Sequence, residues 1–142
     1  MTARIVTIAE AIKDALVAFG LSGAPSVTRT YSPRAVLKDL TGTAVFVMPL
    51  AWKPGEWVTR TQRDTEYQID VLIAAKLGAT TSTDDADTAT GLMDEILEVL
   101  DADAIASAEF RRAEIPALFD AEQIDQWTFL TKVTATYGEH VG

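Results

Sequence analysis

Acid–base chemistry in this chain would have to run through His140, its one histidine, or through pairs drawn from its 21 Asp and Glu residues. His140 stands two positions from the last residue, a poor place from which to build a Ser-His-Asp relay. Asp85-Ala-Asp87-Thr-Ala89 and Asp101-Ala-Asp103-Ala-Ile105 each begin like a calcium loop. Both lack the third oxygen ligand, the glycine and the closing glutamate that such a loop needs. Glu95 and Glu98 are spaced for a paired acid and base, but an acid-rich helix produces that spacing by chance. There is no cysteine, hence no disulfide framework, thiolate zinc site, iron–sulfur cluster or thiol nucleophile. The eight glycines never form GxGxxG or GxxxxGK(S/T), so no phosphate cradle is indicated. The expectation is no catalytic residue, no cofactor, no metal and no enzyme.

Residue types suited to binding are better represented. Trp52 and Trp57 flank Pro54-Gly55, with Arg60 and Arg63 just beyond. Pro-Gly is a turn signal, so this segment reads either as an exposed interaction tip or as a hairpin end folded onto its own sheet. Arg111-Arg112 is the tight basic pair. On a strand the two side chains point to opposite faces, which breaks the pair as a phosphate clamp but lets it meet acids of a neighbouring copy. Trp52, Trp57, Arg60, Arg63, Arg111 and Arg112 are therefore the candidate interaction surface.

The acids are segregated. From Leu77 to Phe110 there is no Lys or Arg, and nine acids. Elsewhere twelve acids meet all twelve bases, so the net charge of -9 belongs to one segment. Asp94, Glu95, Glu98 and Asp101 form a candidate acidic or lumen-lining face. Glu98 and Asp101 oppose the helix dipole, so helix stability does not explain them. The segment Ser26–Lys76 is mildly basic, with seven bases to five acids. A chain of pI about 4.4 is a poor candidate for gripping phosphate over its whole surface.

The elements that carry these residues follow from periodicity. Thr7 and Glu10 have capping-box spacing, and Ile8, Ile12, Leu16 and Phe19 recur at helical spacing before Gly20. A helix is expected over Thr7–Phe19. Strands are expected over Ser26–Tyr31, ended by Ser32-Pro33, and over Thr43–Leu50, which is apolar on both faces. A short connector spans Arg34–Leu40. The clearest strand alternates Tyr67, Ile69, Val71, Ile73 and Ala75 against Glu66, Gln68, Asp70, Leu72, Ala74 and Lys76. A polar linker at Thr80–Thr83 leads to a second helix, capped by Ser82 or Thr83 and burying Ala89, Leu92, Met93, Ile96, Leu97 and Leu100. Gly91 inside it implies a close packing contact. Strands over Ser107–Ile115 and Trp127–Tyr137 follow, joined by a polar connection at Asp120–Asp125, and Gly138–Gly142 reads as a tail.

With 48% hydrophobic and 23% charged residues in 142, the chain reads as one globular domain, 1–142, able to bury roughly 68–70% of its unfolded surface. Its longest uncharged apolar stretch, Thr41–Trp52, has twelve residues, short of the ~20 of a spanning helix. Glu10, Lys13 and Asp14 interrupt any leader core. No membrane association is expected, and a cytoplasmic place of synthesis is. The fold expected is α+β: a single-layer mixed or antiparallel sheet of about five strands with two helices on one face, in the order α-β-β-β-α-β-β. Val45, Val47, Leu72 and Leu130 would then fall on the uncovered face as a patch calling for a partner. Surfaces of opposite charge on one chain suit head-to-tail contact and ring closure.

The helix Thr7–Phe19, the segment Val27-Thr-Arg-Thr-Tyr-Ser-Pro with Asp39-Leu40, and the apolar strand ending in Met48-Pro49 resemble one known family. So do Arg63-Asp-Thr-Glu-Tyr-Gln-Ile-Asp-Val, then Leu92-Met-Asp-Glu-Ile-Leu, and the closing strand from Phe129 to Tyr137. The pattern is similar to the tail-terminator, or tail-completion, proteins of long-tailed bacteriophages. The resemblance implies a small α/β fold in a hexameric ring that caps the tail tube and meets the head's neck, in a virion assembled in the host cytoplasm. Its partners would be itself, tail-tube protein and a head or neck connector, with DNA only as passing cargo. Carboxylates on a lumen wall would repel that DNA. Other readings are another head–tail connector, or a small-molecule-binding regulatory domain with a polar-lined pocket.

Overall fold

A computed structural model describes residues 3–23, 25–31, 43–57, 60, 62–76, 83–102, 108–116 and 128–141. Helix α1 (Arg4–Phe19) is followed by strands β1 (Ser26–Arg29), β2 (Thr43–Trp57) and β3 (Arg63–Lys76). Helix α2 (Thr83–Ala102) and strands β4 (Glu109–Glu114) and β5 (Thr128–Val141) complete the order. The strands form one sheet, β1-β2-β3-β5-β4, in which β1 and β2 run parallel and the other neighbours antiparallel. This is the α+β mixed sheet and the element order expected.

One face of the sheet is where both periodicities converge. Ile8, Ala9, Ile12 and Leu16 make the stripe of α1, and Leu92, Met93, Ile96, Val99 and Leu100 that of α2. They meet Val45 and Val47 of β2, the Tyr67-to-Ile73 alternation of β3, and Val133, Ala135 and Tyr137 of β5. Each large aliphatic side chain so buried contributes about 1.5–3 kcal/mol. Tyr137, the bulkiest fully buried side chain, donates its hydroxyl to the Leu100 carbonyl at 3.1 Å. That bond pins the end of α2 to the sheet, and burial pushes the phenol well above its ordinary pKa.

The opposite face corrects one expectation. Val45 and Val47 point at the helices. Leu72 does lie opposite, with Ala44, Phe46 and Ala74 and with Met48 packed on them. Phe46 is 1% and Leu72 8% exposed, so this cluster is buried and not an open patch. Leu130 lies across from Ala74 in register.

Element ends differ from the periodicity in physically legible ways. α1 begins at Arg4, with Ala3 as a cap that makes no side-chain bond. Thr7 donates its hydroxyl to the Ala3 carbonyl instead, and Glu10 pairs with Arg29 of β1. The capping box is therefore absent. β1 ends at Arg29, whose guanidinium lies 5.4 Å from the exposed Tyr31 ring. Pro54-Gly55 is not a turn: β2 runs on to Trp57, with bulges between Pro49 and Ala51 and between Pro54 and Trp57. Bulges let a strand bend without ending. A Cβ at Gly55 would collide with the Asp64 carbonyl, so the glycine permits close approach of two backbones. β5 likewise absorbs most of the expected tail, pairing Gly138 with Glu66 and Val141 with Arg63.

β2 outruns its outer neighbour. The Val47 carbonyl accepts from the Thr30 N–H at 3.0 Å, so the backbone groups of Val47 point toward β1. By alternation along β3, the positions opposite Ile69, Tyr67 and Thr65 point the same way. These are Pro49, Trp52 and Pro54, beyond the end of β1. The two prolines bring no N–H to that edge, which no described strand pairs.

Ser32-Pro33, the connector at 34–40, the linker at 80–82, Asp103, the connection at 120–125 and Trp127 lie outside the described residues. No described helix is long and apolar enough to cross a membrane.

Candidate interaction surfaces

The part of β2 beyond β1, with β3 beside it, forms an arm, and an aromatic row crosses its base. Trp52, Tyr67, Tyr137 and Phe110 share one register line over four strands. Ring centroids are 6.1 Å apart for Trp52–Tyr67, and 5.6 Å, edge to face, for Phe110–Tyr137. Tyr67 is 2% exposed and Trp52 56%, so the row begins in the core and ends in solvent. Tyr67 donates to Glu139 Oε1 at 3.0 Å, and Arg4 grips both carboxylate oxygens through Nε and Nη2 at 2.9–3.1 Å. The Arg4 bond holds the Glu139 carboxyl below the usual range. Burial, then the bond to Glu139, pushes the Tyr67 phenol up to about 12. Trp52 therefore stands on a platform tied to the first turn of α1.

At the far end of the arm Trp57 is 59% exposed and carries the Arg63 guanidinium 4.5 Å from its ring centroid, a cation–π arrangement. Arg63 Nε is buried without a hydrogen-bond partner. Lys53 and Arg60 are exposed nearby in the chain, and Leu50 stands exposed in the first bulge. Both tryptophans are thus exposed on a continuing strand, and Trp52 also packs on Tyr67 of its own sheet.

Arg111 and Arg112 belong to a different surface. A bulge between Phe110 and Arg112 cancels the alternation, and both guanidinium groups reach Glu66, at 3.8 and 3.1 Å. The pair therefore shares one face, contrary to the strand rule. Arg111 also clamps Asp64 through both terminal nitrogens. It lies over Gly138, where a Cβ would overlap its guanidinium. That clamp holds the Asp64 carboxyl below the ordinary carboxylate range. His140 Nδ1 is 3.9 Å from the same carboxylate. Arg111 is thus committed to its own sheet.

On α2 the acids take the side away from the core. Asp87, Asp94, Glu98 and Asp101 are exposed in one stripe with Gly91, about 21 Å long at 1.5 Å per residue. No ion pair reaches these four acids among the described residues. Glu95 sits at the margin, accepting from the Ser22 hydroxyl at 2.9 Å. The close contact expected at Gly91 is absent: nothing lies within 4 Å of a Cβ built there.

Among the described residues no group of three or more His, Asp and Glu is placed to hold a metal ion. A shallow depression beside α1 is lined by Leu16, Val17, Gly20, Leu21, Pro25 and Val27, which brings no polar side chain to a ligand. Sequence reasoning missed Arg4, Tyr67 and Glu139, whose meeting needs the β3–β5 register, and Lys53, which lay inside an expected turn.

No family model matches the chain, and no curated protein sequence matches it. Among solved structures it is similar to a sheath/tube terminator, in the extended state, of PVC, an extracellular contractile injection system. Identity is 12% and the TM-score 0.46, with all of this chain aligned to 58% of that one. The chain thus spans under two thirds of that protein's length, and the likeness carries over no residue and no surface.

Proposed function

We propose that the chain is a structural subunit of the tail-terminator type. In this reading copies of it, six by the family resemblance, close into a ring that caps a tail tube. The ring then offers its other side to a head or neck connector and lets DNA pass. The protein would sit in the virion at the end of the tail. The observation that carries the reading is the division of the surface. An aromatic arm with Arg60 and Arg63 is matched on the same chain by an α2 stripe of Asp94, Glu98 and Asp101 with which no cation pairs among the described residues. Unlike surfaces on one chain favour head-to-tail contact, which closes into a ring when the rotation permits. The element pattern of the sequence supports the same reading.

Electron microscopy of the purified protein, with and without tail tubes, tests it. The expected result is a closed ring seated on tube ends. A monomer that ignores tube ends at micromolar concentration sinks the proposal.

A further inference from the structure

We infer that the arm of one copy, through Trp57, Arg60 and Arg63, docks on the α2 stripe of the next copy, at Asp94, Glu98 and Asp101. The inference rests on the ring reading and specifies its contact. Among the described residues Arg60 and Arg63 make no ion pair, and neither do Asp94, Glu98 and Asp101. Of the acids of β3 beside the arm, Asp64 and Glu66 are held by Arg111 and Arg112, and Glu66 faces Lys53 across the strands. The α2 stripe lies in the segment without Lys or Arg from Leu77 to Phe110.

Two further observations favour a helix, and not a strand, as the occupant of the arm. Pro49 and Pro54 remove N–H groups from the outer edge of β2, so a partner must be met through side chains. The large exposed aromatic side chains there are Trp52 and Trp57, with Arg63 held over the second ring. Tryptophan and arginine are the residues that most often anchor interfaces. On the other side, Glu98 and Asp101 stand near the C-terminal end of α2, where the dipole disfavours them. A cation from outside the helix offsets that penalty.

Charge exchange tests the contact. One variant reverses the arm (Arg60→Glu, Arg63→Glu). The other reverses the stripe (Asp94→Lys, Glu98→Lys, Asp101→Lys). Each alone should self-associate roughly 100-fold more weakly than the unaltered chain in sedimentation velocity. An equimolar mixture should regain the original mass, because every junction then again joins unlike charges. Two variants that keep the original mass overturn the contact, and so does a mixture that stays apart while each variant melts like the parent. That first result, with DNA passage blocked, would favour α2 as a lumen wall. Since the chain has no cysteine, a second measurement does not depend on the charge-reversed variants folding. Arg60→Cys chains mixed with Glu98→Cys chains should give a disulfide-linked heterodimer on mild oxidation. An intact ring without that cross-link removes the contact and leaves the ring. A parent chain that never oligomerises, alone or on tubes, removes both.

Discussion

The carboxylates of the sheet and those of α2 are the same groups kept in different company. Glu139 is gripped by Arg4 and Tyr67, Asp64 by Arg111, and Glu66 by both neighbouring arginines. Asp70, 4% exposed, accepts from the Thr134 hydroxyl at 2.6 Å with Lys132 at 3.9 Å. Asp94, Glu98 and Asp101 face solvent on α2, with no ion pair among the described residues. Partnered acids hold the fold together, and the unpartnered ones leave a field directed outward. Part of the charge of -9 thus stands on a helix face where no ion pair reaches it among the described residues.

The contrast is sharpest where a partner is removed. Glu139→Ala strips Arg4 and the buried Tyr67 hydroxyl of their shared acceptor, and should cost about 1–3 kcal/mol in urea unfolding. Asp94→Ala should stay within about 0.5 kcal/mol of the parent. Equal effects would erase the distinction.

Acid titration examines the same division. Folded Glu139 and Asp64 hold protons less tightly than their unfolded counterparts, because Arg4 and Arg111 bind the charged forms. Their contribution is complete above the unfolded values of about 4.3 and 3.9. It is lost as pH falls through those values toward the lower folded ones. Unfolding midpoints followed down the acid range should show that decline. The double variant Glu139→Gln, Asp64→Asn should begin lower and decline less steeply.

Smaller effects belong to the stripe. Gly91→Ala should raise stability by about 0.5–1 kcal/mol, since the site is open and helical. Glu98→Lys should add about 0.3–1 kcal/mol by suiting the negative end of the dipole. Thermal melts of monomeric protein check both. A gain in stability that comes with weakened self-association would separate folding from assembly at one residue.

The helices and the central strand were legible because their evidence is local. Ile8, Ile12 and Leu16 recur once per turn, and Tyr67 to Ile73 alternate without interruption. The bulges were not legible. Gly55 reads as half of a turn until Asp64 is seen against it, and Arg111 and Arg112 read as opposed until the β4–β5 register slips between Phe110 and Arg112. Parity along a strand is a global quantity, and one extra residue inverts it. Trp52 and Trp57 could be singled out by type, and the acids of α2 by the absence of bases around them. The platform under Trp52 could not, because Arg4 and Glu139 are 135 positions apart.

The outer edge of β2, unpaired by any described strand beyond β1, has a consequence for behaviour at high concentration. Exposed strand edges tend to recruit one another into open-ended stacks. With Pro49 and Pro54 on the outward positions either side of Trp52, two such edges cannot exchange the alternating donors and acceptors of a shared ladder. The arm can remain aromatic and solvent-facing without becoming a seed for fibres. Restoring the donors, as in Pro49→Val with Pro54→Val, would give that edge back its N–H groups and make the protein more prone to aggregate.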